Sequence, residues 1–192
     1  HLAERLAGRA NVRLLFGDAL TLPLEELDPP AGKLVANLPY AIATPLCVES
    51  LDGLPELEAW CVMLQREVAD RFVASPGSRA YGSVSVLVQL TTERVGFHPV
   101  ARTCFRPQPN VDSALLALRR RHRWGPEYTR LKRVVQGAFS HRRKTLGNAL
   151  ELAGVAGRDE AAAALRTMGR PAGVRAEALD PEEFVRLAEL LP

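Results

Sequence analysis

Asn37-Leu38-Pro39-Tyr40 is the densest set of residues in this chain that could act together on one reacting group. An exocyclic adenine amine is a poor nucleophile because its lone pair is delocalised into the ring. An Asn side-chain oxygen and a neighbouring backbone carbonyl can accept its two N–H bonds and direct the lone pair at an electrophile. Pro39 restricts the backbone so that the Leu38 carbonyl points into such a site. Tyr40 offers a flat face for a base taken out of its stack. The same four residues also fit a turn before a helix, with Asn37 capping a nearby backbone group. Gly17-Asp18, after an apolar run, is likewise either a turn or a ligand site. Phe105, in the link Phe105-Arg106-Pro107-Gln108-Pro109, is either core or a base contact.

Charge supplies the second signal. The 192 residues carry a net charge of only +3, with 25 Lys/Arg against 22 Asp/Glu. Between Arg119 and Asn148, however, stand ten Lys/Arg and one acid, Glu127, a net of +9 against −6 for the rest. That asymmetry fits a polyanion-binding face, nucleic acid before membrane, or else a solvated Arg-rich helix surface. Arg130, Lys132, Arg133, Arg142, Arg143 and Lys144 are the candidate phosphate contacts. Cys47, Cys61 and Cys104 show no C-x-x-C spacing, and with four scattered histidines they form no metal pattern. They read as reduced cysteines in or near the core of a cytoplasmic protein. His98 reads as a strand or loop residue and His141 as an RNA-backbone contact. Gln65 and Glu67 suit the start of a helix, as caps that fix the adjoining loop.

The elements that must position these residues alternate along the first half. Val12–Phe16, Lys33–Ala36 and Trp60–Leu64 read as strands; Thr44–Leu51, opened by Pro45 beside a threonine cap, and Arg66–Ala74 read as helices. Such alternation predicts a parallel sheet covered on both faces, with ligands outside the carboxyl ends of the strands, where Asp18 and Asn37 fall. Val84–Leu90 fits a strand by composition and a helix by length. Val95–Val100 and Ala114–Arg119 read as strands. Beyond Arg123-Trp124-Gly125-Pro126 the pattern becomes helical over Tyr128–Phe139, Thr145–Leu152, Asp159–Met168 and Pro181–Leu190. This divides the chain into residues 1–122 and a small helical domain, 123–192. No apolar run approaches the roughly 18–20 residues of a membrane span. His1-Leu2-Ala3-Glu4-Arg5 has neither a start methionine nor a signal core, so the chain reads as an interior piece of a longer protein.

Asn37-Leu38-Pro39-Tyr40 resembles the catalytic motif of the ribosomal RNA adenine N6,N6-dimethyltransferases, the kasugamycin-sensitivity family. Four further segments resemble that family in order: Val62–Arg71, Pro76–Gly82, Phe105–Ser113 (F-x-P-x-P-x-V-D-S) and Phe139–Leu150, which contains Arg142-Arg143-Lys144. Gly17-Asp18-Ala19-Leu20 fits as well. The resemblance runs from about residue 12 to the end.

It implies an α/β fold: a Rossmann-like S-adenosylmethionine-dependent methyltransferase domain, truncated at its start, with a small C-terminal all-α domain. It makes Val84–Leu90 a helix. It implies that S-adenosylmethionine is the methyl donor, that Asp18 accepts from the donor's adenine amine while the Ala19 backbone reads the ring edge, and that Asn37 adjoins the donor's other end. Asn37 and the Leu38 carbonyl would orient the target amine, with Pro39 shaping the turn and Tyr40 and Phe105 holding the base; no metal is needed. The implied substrate is two adjacent adenines near the 3′ end of small-subunit ribosomal RNA. The implied partner is the immature small ribosomal subunit, met by a monomer when full length. A large-subunit adenine methyltransferase of the macrolide-resistance type and a non-catalytic RNA-binding assembly factor are the competing readings. The family's glycine-rich donor loop and ribose-binding acid belong upstream of these motifs and have no match here. The chain is therefore expected to bind RNA, to bind the donor weakly without turnover, and to self-associate through an uncovered sheet.

Overall fold

A five-residue helix, α1 (Leu2–Leu6), opens the chain, and four later segments pair into one sheet. These are β1 (Lys33–Asn37), β2 (Ala59–Gln65), β3 (Thr92–Val100) and β4 (Ser113–Arg120), in the order β1-β2-β4-β3. The structure, a computed structural model, describes residues 1–192. β1 runs parallel to β2, whereas β4 is antiparallel to both β2 and β3, with a bulge between Arg94 and Gly96. Burial alternates with period two: Trp60, Val62 and Leu64 in β2 and Ala114, Leu116 and Leu118 in β4 are buried, while Cys61 and Leu115 face out. Such alternation belongs to a sheet packed on one side.

The helices that cover that side are α2 (Tyr40–Gly53), α3 (Arg66–Phe72) and α4 (Ser83–Thr91). The expected all-parallel sheet with two covered faces is therefore corrected. The link after β3 returns β4 antiparallel between β2 and β3, and the opposite face leaves Val35 75% exposed beside Cys61. The strand expected at Val12–Phe16 does not form, and Phe16 is 77% exposed. A strand needs a partner for its N–H and C=O groups, and no segment of the chain pairs with this one. The helix expected to open at Pro45 starts at Tyr40 instead. Pro39, with φ −56°, sets up the first turn, and Pro45 sits inside the helix at the loss of one backbone bond. Ala43, Leu46, Cys47, Ser50 and Leu51 form its buried stripe. The ambiguous segment 84–90 is helical, as α4. Ser85 explains why: its hydroxyl accepts from Gly82 N–H (3.1 Å) and donates to the Arg71 carbonyl, holding the first turn against α3.

After Trp124 follow α5 (Glu127–Phe139), α6 (Leu146–Leu152), α7 (Arg158–Thr167) and α8 (Pro181–Leu190). α8 begins with a reciprocal cap, in which Asp180 accepts from Glu183 N–H (2.9 Å) and Glu183 from Asp180 N–H (3.0 Å). A continuous core runs from Trp60 and Leu116 through Tyr81 to Phe184 and Leu187. Between the loop after α3 and the segment before α8, the buried Tyr81 hydroxyl donates to the Leu179 carbonyl (3.0 Å) and Gly77 N–H to the Glu177 carbonyl (2.7 Å). Gly77 turns there with φ +77°, a conformation that favours glycine. Arg120 is buried over the Trp60 ring and donates to the carbonyls of Leu51, Leu54 and Leu57, closing the loop after α2. No helix is long and apolar enough to cross a membrane.

Candidate active site

β1 and β2 end side by side, with Asn37 in register with Met63, and Leu38 N–H donates to the Met63 carbonyl (3.4 Å). This fixes Asn37 at the carboxyl edge of the sheet, exposed, with the buried Leu38 anchoring the turn behind it. Pro39 is the N-cap of α2, and no side chain caps that helix, so the Asn37 amide is not consumed in starting it. Tyr40, half-buried at the first helical position, is held through its hydroxyl, 2.9 Å from the Ser113 hydroxyl.

Ser113 is fully buried at the start of β4, paired with Gln65 on one side and Val100 on the other. Its neighbour Asp112 accepts Arg66 N–H at its carbonyl and Arg102 N–H at its carboxylate, both at 2.9 Å. Asp112 and Ser113 thus tie the start of α3, the link 101–112 and Tyr40 together. Both close the Phe105–Ser113 motif, whose resemblance assigns neither an individual role. The available signal was a polar Asp-Ser pair at the mouth of an apolar strand, where an unpaired polar group would be costly. Phe105, half-buried, follows a short 3-10 turn (Arg102–Cys104) on that link. Gln65 makes no side-chain cap bond to α3, and Glu67 instead pairs with Arg71 (2.9 Å), because Arg71 lies one turn on. That corrects the expected capping pair.

Asp18 closes its own turn, its carboxylate accepting Leu20 N–H (2.9 Å) and its carbonyl Leu22 N–H (2.9 Å). Ala19, with Leu20 and Leu22, lines a cavity together with Leu46, Ser50 and Leu54, along the second half of α2. Asn37 adjoins the near end of that 14-residue helix, which at 1.5 Å per residue is about 20 Å long. The arrangement holds at the near end of α2 the groups that would orient a target amine.

The cations separate into two kinds. Lys132, with its side chain 17% exposed, pairs with Glu49 (3.0 Å) and Asp52 (3.5 Å) on α2. Arg130 donates to the Leu191 carbonyl and Arg133 to that of Gly154. Arg142 reaches the carbonyls of Arg79 (3.0 Å) and Tyr81 (3.3 Å), with Glu177 at 4.0 Å. Arg143 and Lys144 stand exposed in the turn between α5 and α6. His98 lies exposed on β3, and His141 bonds the Ser140 hydroxyl through Nδ1 (2.9 Å). Of the cysteines, Cys47 is buried and its thiol is pushed up to about 12 by burial. Cys61 and Cys104 are exposed, which corrects their expected place in or near the core; Cys61 points to the uncovered sheet face and Cys104 lies on the link.

A family model described as ribosomal RNA adenine dimethylase matches residues 1–191. The ribosomal RNA small subunit methyltransferase A of Rubrobacter xylanophilus is 42% identical over 186 residues, covering 97% of this chain and 70% of the relative. Its counterpart from Thermobifida fusca is 44% identical over 203 residues, covering 100% and 70%. Among solved structures, a dimethyladenosine transferase from Plasmodium falciparum superposes with a TM-score of 0.71 at 22% identity, over 97% of this chain and 75% of that one, a likeness of fold. The 23S rRNA methyltransferase ErmE gives 0.64 at 27% identity, over 99% and 76%. With an uncommitted Asn37 at the strand edge and Tyr40 anchored beside it, this chain belongs to the ribosomal RNA adenine dimethylase family.

Proposed function

We propose that this chain serves the N6,N6-dimethylation of two adjacent adenines near the 3′ end of small-subunit ribosomal RNA, with S-adenosylmethionine as the methyl donor. The observation that carries the reading is the free Asn37 amide beside a Tyr40 ring whose orientation Ser113 holds. Asn37 Oδ1 and the Leu38 carbonyl accept the two amine N–H bonds and aim the lone pair outward from the sheet edge. Tyr40 takes one face of the base, and Phe105, on the adjoining link, is placed to close over it. Holding the amine in line supplies the catalysis, because the positioned encounter replaces a bimolecular one. The donor contributes an electrophilic methyl group when bound.

Small-subunit RNA is favoured over large-subunit RNA because relatives named for the small subunit are 34–44% identical, against 27% for ErmE. The substrate is met in the immature small ribosomal subunit, in the cytoplasm, by a monomer, and Arg143 and Lys144 are the exposed pair best placed to meet its phosphates. Mass spectrometry of ribosomal RNA after incubation with labelled S-adenosylmethionine and the full-length enzyme tests the reading; this chain spans about 70% of the relatives' length. Label on N6 of adenine in small-subunit RNA is expected. Label confined to large-subunit RNA would move the assignment to the macrolide-resistance type. Retention of RNA without label would make the chain an RNA-binding assembly factor.

A further inference from the structure

A cleft of about 520 Å³ opens beside the site, between the start of α3 and the link 101–112. Gln65, Arg66, Ala80, Arg102, Asn110 and Asp112 line it. One end adjoins the amine site, because Asp112 precedes the Ser113 that holds Tyr40. The other end reaches the basic turn, because Ala80 lies between Arg79 and Tyr81, whose carbonyls take Arg142. The cleft therefore joins the two parts of the proposed site that a single RNA strand would have to touch.

The charges along it are unequally committed. Of its carboxylates, Asp70 is paired with Arg66 (3.0 Å), Glu67 with Arg71 (2.9 Å), and Asp112 accepts the Arg102 backbone N–H (2.9 Å). Arg66 is further occupied by lying over the Phe97 ring. The Arg102 guanidinium has neither an acid within 4.0 Å nor a hydrogen-bond partner, and it is exposed. Its backbone, by contrast, is pinned by Asp112, so the cation is presented from a fixed point. Arg79, which precedes the lining residue Ala80, is likewise exposed and free of acids while its carbonyl is held by Arg142. A guanidinium without a protein partner on a fixed backbone suits a phosphate, which it can bind through two parallel N–H bonds. Gln65 and Asn110 add amide donors and acceptors to the lining.

We propose that this cleft binds the phosphodiester backbone of single-stranded RNA next to the target adenine, with Arg102 as the phosphate contact inside and Arg79 as the contact beside it. The inference rests on the RNA-methylation reading for its ligand, and it adds a track that carries the strand from Arg143 and Lys144 across the domain joint to Tyr40. The two cations come from the β3–β4 link and the α3–α4 loop, so the track lies on the sheet-bearing half of the molecule rather than on the basic helical half.

Salt titrations of the 192-residue chain with a fluorescent single-stranded RNA containing two adjacent adenines test it. Each phosphate contact on a single strand contributes about 0.7 to the slope of log affinity against log salt. Arg102→Ala and Arg79→Ala should each lower the slope by about that amount, and the double variant by about 1.4. Arg102→Lys should keep the wild-type slope, and Arg94→Ala, on exposed β3, should change nothing. A 4-thiouridine beside the adenines should photocross-link to the peptide containing residues 101–112. Unchanged slopes in Arg102→Ala and Arg79→Ala, with a slope that falls in Arg143→Ala, would overturn the track and leave the RNA-methylation reading standing. Absence of any RNA binding would overturn both.

Discussion

The phenolic oxygen of Tyr40 lies 2.9 Å from the hydroxyl of Ser113, 73 residues away in the chain. The bond joins the first turn of α2 to the first residue of β4 and leaves the tyrosine ring one fixed tilt at the sheet edge. A net contribution of about 1 kcal/mol is typical of such a bond. Ser113→Ala and Tyr40→Phe should each lower stability by about that much, and the double variant by no more than either, since the two remove one shared interaction. Urea titrations of the four proteins check it, and strict additivity would mean that the two hydroxyls do not act on each other.

Asn37→Ala removes one acceptor for the target amine while leaving the fold intact, because the Asn37 side chain caps nothing. Loss of one preorganised partner of this kind lowers the rate by roughly 10²–10³. RNA affinity should stay near wild type, since phosphate contacts dominate it. Single-turnover methylation of small-subunit RNA reads the rate and a binding isotherm reads the affinity. A wild-type rate would reduce Asn37 to a turn residue.

Glu183 is buried on α8 and forms a two-pronged pair with Arg170, at 2.6 and 2.7 Å, which holds its carboxyl below the usual carboxylate range of about 4.3. A depressed folded value means that the pair's stabilisation is complete above the unfolded value and disappears as pH falls through the folded one. Glu183→Gln should therefore be less stable than wild type at pH 7. The gap between their denaturation midpoints should narrow as pH falls below about 4. A gap independent of pH would show that the charge contributes nothing.

Two of the three thiols should react rapidly in the native protein. Cys61 and Cys104 are exposed, whereas Cys47 is buried in α2 with its thiol pushed up to about 12. Thiolate is the reactive form, so Cys47 should be modified only after unfolding. Counting modified thiols by intact-mass spectrometry with and without denaturant distinguishes the two classes. Native labelling of all three would contradict the packing of α2 on the sheet.

The strands β2 and β4 were legible in the sequence because short apolar runs are local: Trp60–Leu64 and Ala114–Leu118 declare strands without reference to any partner, but which face is buried was decided by the fold. The periodic helices after Trp124 and the Asn37-Leu38-Pro39-Tyr40 turn were legible for the same reason. What the sequence by itself could not determine depended on partners far along the chain. Val12–Phe16 has the composition of a strand, yet no neighbour pairs with it. Val84–Leu90 has a strand's composition too, but Ser85 and burial against the sheet make it α4. Lys132 and Lys144 are equivalent as letters. Only the fold, which brings Lys132 of α5 within reach of α2, decides that the first is committed to Glu49 and Asp52 while the second stays exposed. The same holds at the site. The sequence placed Asn37 at a strand end, but the anchor of Tyr40 and the free cation beside it come from the link before β4, which only the folded chain brings to that edge. Local patterns follow from the energy of burying alternate residues, whereas pairings over tens of residues follow from which surfaces meet, and that is a property of the tertiary structure alone.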